Sequence, residues 1–277
     1  MTLSDERYSR LRIFNYARLE KLRDMHVLIV GAGGLGAVCS DIMARLGTGK
    51  ITIFDYDTLE AGNLNRMIFR ADQIGMKKVV ALREYLEKVN SEVEVIPEPY
   101  DITREGYEAF LEALKSCDIV LGCVDSFGVR MFINAKCIEL KKNYVDGGTS
   151  LDGIRGAVHT IIPGKTACYR CHVISQETEF PMKTPGHESG TCYAVSLPTT
   201  MGIISALECQ EALKILLGFG KINPYIIYDG LAGTMQVINW KRNPNCQVCG
   251  KRKKERISRK KLRELEDIEE KFEKLMK

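Results

Sequence analysis

Four sets of residues in this 277-residue sequence have types and spacings that could do chemistry. The first is Gly31-Ala32-Gly33-Gly34-Leu35-Gly36, which follows the apolar run His26–Val30 and leads into a helical stretch ending at Leu46. Gly-x-Gly-x-x-Gly in that setting lets phosphate oxygens approach backbone N–H groups at a helix N-terminus. Asp55 closes the next apolar run, 19 residues past Gly36, where a carboxylate can hydrogen-bond ribose hydroxyls. NAD and ATP both satisfy this pattern. The second set favours ATP. Asn63, Asn65, Arg66 and Lys78 bring two amides, a guanidinium and an ammonium to one crevice, more positive charge than a nicotinamide site has use for and well suited to a triphosphate. Read alone, the same asparagines could form a turn and Arg66 could be a surface charge. Asp125, ending the apolar run 118–123, is placed to hold Mg2+, because parallel sheets collect ligands at strand C-termini; singly, it or Ser126 could instead cap a helix.

The third set is thiol. Cys168-x-x-Cys171 and Cys246-x-x-Cys249 form two knuckles, and four thiolates so arranged make a closed tetrahedral Zn2+ site with no position open for chemistry. Two separate redox pairs are the alternative. The fourth set is Cys192 alone, just before Ser196-Leu197-Pro198-Thr199-Thr200, which reads as a helix start capped by Ser196 or Thr199. A thiol near a helix N-terminus can have a lowered pKa and act as a nucleophile. Cysteine is also often a small buried hydrophobe, the reading given to Cys39, Cys117, Cys123, Cys137 and Cys209.

The elements that must position these residues alternate between strand and helix. Strands are expected at 26–30, 50–54, 93–96, 118–123, 144–145, 225–228 and 235–240. Helices are expected at 77–89, 104–114, after Ser126, and at 201–217, with an amphipathic helix over the first twenty residues. The fold class is therefore α/β: a Rossmann-like, mainly parallel sheet flanked by helices, with a structural zinc knuckle and a C-terminal helical tail. One domain is expected over 1–250, interrupted by a long polar loop at about 172–196. A charged extension follows over 251–277, where Leu262, Leu265, Ile268, Phe272 and Leu275 recur at helical spacing. That extension carries 12 Lys/Arg against 7 Asp/Glu, more than the whole net charge of +4, so the body is near neutral and no nucleic-acid partner is expected. No apolar run reaches the ~18 residues of a membrane span. The start has no signal layout, and the ten cysteines fit a reducing compartment, so a cytoplasmic location is expected.

Arg7-Tyr8-Ser9-Arg10, Gly31–Gly36, Asp55-Tyr56-Asp57, Asn63-Leu64-Asn65-Arg66, Gly75-Met76-Lys77-Lys78 and Cys123-Val124-Asp125 together resemble the ubiquitin-activating (E1-like) superfamily in order and spacing, over about 7–250. Ile162–Cys168 and Cys192 with Ser196–Gly202 are most similar to the compact branch that activates ubiquitin-fold modifiers. The resemblance implies ATP-dependent adenylation of the C-terminal glycine of a ubiquitin-like protein. A thioester on Cys192 and transfer to a conjugating enzyme would follow. It implies that Gly31, Gly33, Gly34 and Gly36 cradle phosphate, Asp55 binds ribose, and Asn63, Asn65, Arg66 and Lys78 hold the triphosphate with Mg2+ on Asp125. Asp101 and Ser126 stand where the compact enzymes carry Asn beside the nucleotide. Arg10 is similar to an arginine that reaches the ATP of the partner subunit, hence an expected homodimer. The charged extension could pack on the body or dock a partner. Molybdopterin and thiamine sulfur-carrier adenylyltransferases, which need no productive thioester, share the first half and the zinc cysteines. An NAD-dependent dehydrogenase and a zinc-stabilised binding module without turnover are the more distant alternatives.

Overall fold

The computed structural model describes residues 6–66, 68–171 and 195–250. Eight strands form one sheet in the order β3-β2-β1-β4-β5-β6-β7-β8. β1 (His26–Val30), β2 (Lys50–Phe54), β3 (Glu94–Glu98), β4 (Ile119–Gly122) and β5 (Asn143–Thr149) run parallel. β6 (Arg155–Ile161), β7 (Tyr225–Asp229) and β8 (Thr234–Ile238) continue it antiparallel. The helices are α1 (Gly34–Leu46), α2 (Lys78–Val89), α3 (Tyr107–Ser116), α4 (Phe127–Leu140) and α5 (Pro198–Leu217).

β1 shows why its sequence has no polar alternation. Val27 and Ile29 pack into a core with α1, α2 and α5, while Leu28 and Val30 pack into a second core with α3 and α4. A strand covered on both faces reads as a continuous apolar run. α5 is apolar on nearly every side because it is itself enclosed, lying along α1 and over β5 and β6.

Three expectations are corrected. The N-terminal stretch is not one helix: it makes short 3-10 turns at Leu11–Ile13 and Leu19–Asp24, with extended backbone at Phe14 and Arg18. Among its described residues only Tyr8 and Leu22 are buried, two separate anchors rather than one continuous apolar face. Neither Ser196 nor Thr199 caps α5. Leu197 holds the N-cap position without a side-chain bond, and Pro198 starts the helix, where its missing N–H costs nothing. β6 was not expected at all. Cys192, the polar loop that holds it and the extension 251–277 lie outside the described residues.

Candidate nucleotide-binding site

The order β3-β2-β1-β4-β5 places a topological switch point between β1 and β4, and open α/β sheets bind ligands there, outside the strand C-termini. The glycine turn leaves β1 at this point. Gly31 has φ +99°, and its N–H donates to the Phe54 carbonyl (2.7 Å). A Cβ on Gly31 would sit 2.5 Å from the Cys123 carbonyl oxygen, and one on Gly36 would overlap the Gly31 carbonyl. The turn is therefore clamped between β1 and the end of β4, a fit only glycine allows. Gly33 starts α1 with no side-chain cap, so the helix's first N–H groups remain available to an anion. A Cβ on Gly34 would overlap Met201 Sδ and stand 3.3 Å from the Arg66 carbonyl, which brings the 63–66 segment over the turn.

Asp55 braces the same turn. Its Oδ2 accepts the Ala32 N–H (2.7 Å) and its Oδ1 the Asp57 N–H (2.8 Å). Burial raises its pKa, against the opposing pull of Lys78 and these two N–H donors. Lys78 opens α2, is buried to 8% exposure, and donates to Asp57 Oδ2 at 2.6 Å. The Tyr56 hydroxyl has its pKa raised by burial and by the carboxylates of Asp57, Asp101, Asp125 and Asp55. Asp125 is exposed and makes no hydrogen bond or ion pair among the described residues.

The remaining expected residues are placed as follows. Asn63 reads partly as a turn residue: its Oδ1 accepts the Glu60 N–H (3.0 Å) in a 3-10 turn. Asn65 Nδ2 reaches the Ser196 carbonyl (3.4 Å), tying the segment to the start of α5. Arg66 Nη1 donates to the Gly62 carbonyl (2.9 Å) and Asn65 Oδ1 (3.2 Å). Asp101 Oδ1 accepts from the N–H and hydroxyl of Thr103, both at 2.7 Å, which fixes its loop. Ser126 takes the cap alternative, its Oγ accepting the Val129 N–H of α4 (3.4 Å). Arg10 makes no hydrogen bond or ion pair with these residues among the described residues, and its neighbour Tyr8 is anchored elsewhere. Tyr8, two residues before it, packs on Gly47 and accepts from Asn90 Nδ2 (2.7 Å), at the far ends of α1 and α2. The 13 residues of α1 put that end about 20 Å from the glycine turn.

Arg130 was missed in the sequence. From α4 it pairs with Asp146 and holds the carbonyls of Val124 and Gly147 (3.0 Å for the latter). Burial works against its charge, but Asp146 and its neighbours more than offset that and raise its pKa. It thus fixes the backbone next to Asp125. A lone Arg one turn into a helix gives no spacing signal for such a role.

The four knuckle cysteines meet on the opposite face, buried beside α4. Their thiols are neighbours at 3.9 Å (Cys168–Cys171), 3.7 Å (Cys168–Cys246) and 3.4 Å (Cys171–Cys249). Disulfide sulfurs would be about 2.05 Å apart, whereas sulfurs around one tetrahedral ion with ~2.3 Å bonds are about 3.8 Å apart. The spacing fits a metal. Arg242 links the two knuckles through the Gly164 and Cys249 carbonyls (2.9 and 2.6 Å), and the Asn243 N–H points at Cys171 Sγ (3.5 Å).

Among the described residues, no helix is long and apolar enough to cross a membrane. The ThiF family model matches residues 6–248. Ubiquitin-like modifier-activating enzyme 5 of Oryza sativa subsp. japonica is 38% identical over 93% of this chain and 65% of its own length. The protein of that name in Aedes aegypti is 38% identical over 95% of this chain and 70% of its own. The chain thus spans about two thirds of the length of these relatives. Among solved structures, E. coli MccB with ATP superposes with a TM-score of 0.71 at 25% identity, over 88% of this chain and 74% of MccB.

Proposed function

The chain belongs to the ThiF family and, within it, to the ubiquitin-like modifier-activating enzymes, which are E1-like; on that premise we propose that it adenylates the C-terminal glycine of a ubiquitin-like protein with ATP, takes the acyl group onto Cys192 and passes it to a conjugating enzyme. The observation that carries this reading is the gathering of the glycine turn, Asp55, Arg66, Lys78 and Asp125 at one switch point. The similar MccB structure, which holds ATP, supports it.

A C-terminal carboxylate has a pKa of ~3.3–3.7 and is already a nucleophile at neutral pH. Its oxygen attacks the α-phosphorus, the bond to the β-phosphate oxygen breaks, and pyrophosphate leaves behind an acyl-adenylate. No general base is needed. Catalysis is positioning plus neutralisation of charge. The N-terminus of α1 receives phosphate oxygens, and the ribose hydroxyls meet Asp55 at its exposed edge. Lys78 exchanges Asp57 for the triphosphate, and Arg66 turns from Gly62 onto it, with Asn63 and Asn65 alongside. Mg2+ would be held by Asp125, and it supplies positive charge to the phosphates when bound. In the second step the Cys192 thiolate attacks the acyl carbon and AMP leaves.

Tyr8, two residues before Arg10, is anchored at the end of α1 away from the glycine turn, which agrees with Arg10 serving the crevice of a second copy in a homodimer. Zn2+ fits the knuckle of Cys168, Cys171, Cys246 and Cys249, where it would join the antiparallel end of the sheet to the body. A cytoplasmic location agrees with nine buried cysteines that are all free among the described residues.

The test is ATP–pyrophosphate exchange with a ubiquitin-like protein ending in Gly. Exchange should require Mg2+ and persist in Cys192→Ala, while the thiol-sensitive adduct disappears. No exchange by the intact protein overturns adenylation. Exchange with an unaltered thioester in Cys192→Ala overturns the cysteine assignment. Exchange with no thioester in the unsubstituted protein would indicate the sulfur-carrier type.

A further inference from the structure

α5 carries two buried glutamates one turn apart, and they are treated very differently. Glu211 has ordinary partners: Lys214 Nζ at 2.6 Å, the Asn223 N–H at 3.0 Å and Asn223 Nδ2 at 3.1 Å. Glu208 is fully buried at 0% exposure and is met, among the described residues, only by thiols. Cys39 Sγ of α1 lies 3.6 Å from its Oε2, and Cys123 Sγ, just past β4, lies 3.6 Å from Oε1 and 3.8 Å from Oε2. Gly147 leaves the room on the β5 side, since a Cβ there would overlap this carboxyl. A thiol is a weak hydrogen-bond donor. An isolated buried carboxylate therefore carries a large desolvation cost that S–H groups do little to offset.

We propose that Cys39, Cys123 and Glu208 form a second buried metal site that takes a thiophilic divalent cation such as Zn2+. The ligand atoms of the three lie within 4.8 Å of one another. A tetrahedral zinc with ~2.3 Å bonds to sulfur and ~2.0 Å to oxygen sets sulfur and oxygen about 3.5 Å apart, and the observed 3.6 Å matches. The Cys209 thiol stands outside this set and donates instead to the Cys39 carbonyl (3.8 Å). Each coordinating thiol gives up its proton as the ion enters, so the two positive charges meet anionic ligands, as in a four-cysteine site. Full burial is no obstacle to an ion that is incorporated as the chain folds. The ion would tie α1, the end of β4 and α5 together beneath the glycine turn, because Cys123 is the residue against which Gly31 and Gly36 pack. This site does not depend on the adenylation reading.

Cadmium-113 NMR on the full chain, loaded with Cd2+ alone, tests it. A resonance should appear that shifts in Glu208→Gln, a nearly isosteric change, and vanishes in Cys39→Ala. In protein grown with Zn2+, metal analysis should show one ion fewer per chain in Cys39→Ala. If Cys39→Ala does not fold, Glu208→Gln decides through the same resonance. Resonances that are all unmoved by Glu208→Gln overturn the proposal, and so does a zinc content unaffected by folded Cys39→Ala.

Discussion

The two cysteine clusters lie on opposite faces of one sheet and are assembled in opposite ways. The knuckle is built from two local turns, each supplying a Cys-x-x-Cys pair, and its second layer is backbone: the Asn243 N–H on Cys171 and carbonyls held by Arg242. The inner cluster takes single residues from α1, the end of β4 and α5 and encloses a carboxyl, with the Ser205 carbonyl 3.7 Å from Cys39 Sγ behind it. A cluster made of loops holds loops together. A cluster made of core elements instead stiffens the surface those elements carry, here the floor of the nucleotide crevice. The knuckle should thus govern whether the chain folds, and the inner cluster how well the crevice keeps its shape.

The largest effect expected from this contrast belongs to the knuckle. If the knuckle holds the proposed Zn2+, Cys246→Ser should lose it at a cost of at least several kcal/mol, given ~10–16 kcal/mol for structural zinc in small peptides. Thermal unfolding should shift sharply downward, and a strong chelator should reproduce the shift in the unsubstituted protein. Unfolding that is indifferent to both would erase the distinction between the clusters.

Next comes the crevice itself. Lys78→Ala should slow pyrophosphate exchange by ~10²–10³-fold, the scale for removing one charge-stabilising donor. The melting temperature should change little, because the partner left behind, Asp57, is half exposed and can be hydrated. Metal content should not change, which separates the crevice from both clusters.

Two glycines then sharpen the picture of the floor. An alanine at Gly36 meets the Gly31 carbonyl, which is backbone and cannot yield, whereas one at Gly34 meets the thioether end of Met201. Gly36→Ala should therefore cost more than the ~1–3 kcal/mol usual for overpacking, and Gly34→Ala should fall within or below that range. Denaturant unfolding of the two variants measures the order. The reverse order would mean that the turn is not clamped against Cys123.

Much of this architecture is legible from sequence where the physics is local. His26–Val30 is recognisable as a strand because burial on both faces leaves Val27–Val30 an unbroken apolar run, and Lys50–Phe54 by its β-branched and aromatic residues Ile51, Thr52, Ile53 and Phe54. The glycine turn, Asp55 and the paired cysteines carry their spacing in the chain. β6 escaped because Arg-Gly-Ala-Val-His-Thr-Ile has neither alternation nor an apolar run; its register comes from β5 and β7 on either side. The N-terminal segment misled because a few apolar residues near helical spacing are not one buried face. Cys39, Cys123 and Glu208 are separated by more than eighty residues at each step, so no local pattern reports that they meet. Cys39, Cys123 and Cys209 are indeed buried, as read, but burial did not disclose the carboxyl among them.

The smallest expected effect is a control for the inner cluster. His26, at the opposite end of the sheet, is also buried and titratable, but its partners are hydroxyls: Thr52 Oγ1 lies 2.9 Å from Nε2 and Ser116 Oγ 3.2 Å from Nδ1. Burial lowers its pKa, with Lys50 adding to the effect and Asp118 opposing it. The folded state thus holds His26 neutral and resists the proton that the unfolded chain accepts below its ordinary value of 6.5. Stability should fall as pH drops through that value, because the unfolded state then binds more protons. His26→Gln, which can still hydrogen-bond both hydroxyls, should flatten this part of the pH profile without altering metal content. If His26→Gln instead removed an ion, hydroxyl-satisfied and thiol-surrounded buried groups could not be told apart by their partners, and the reasoning that separates Glu208 from Glu211 would fail with it.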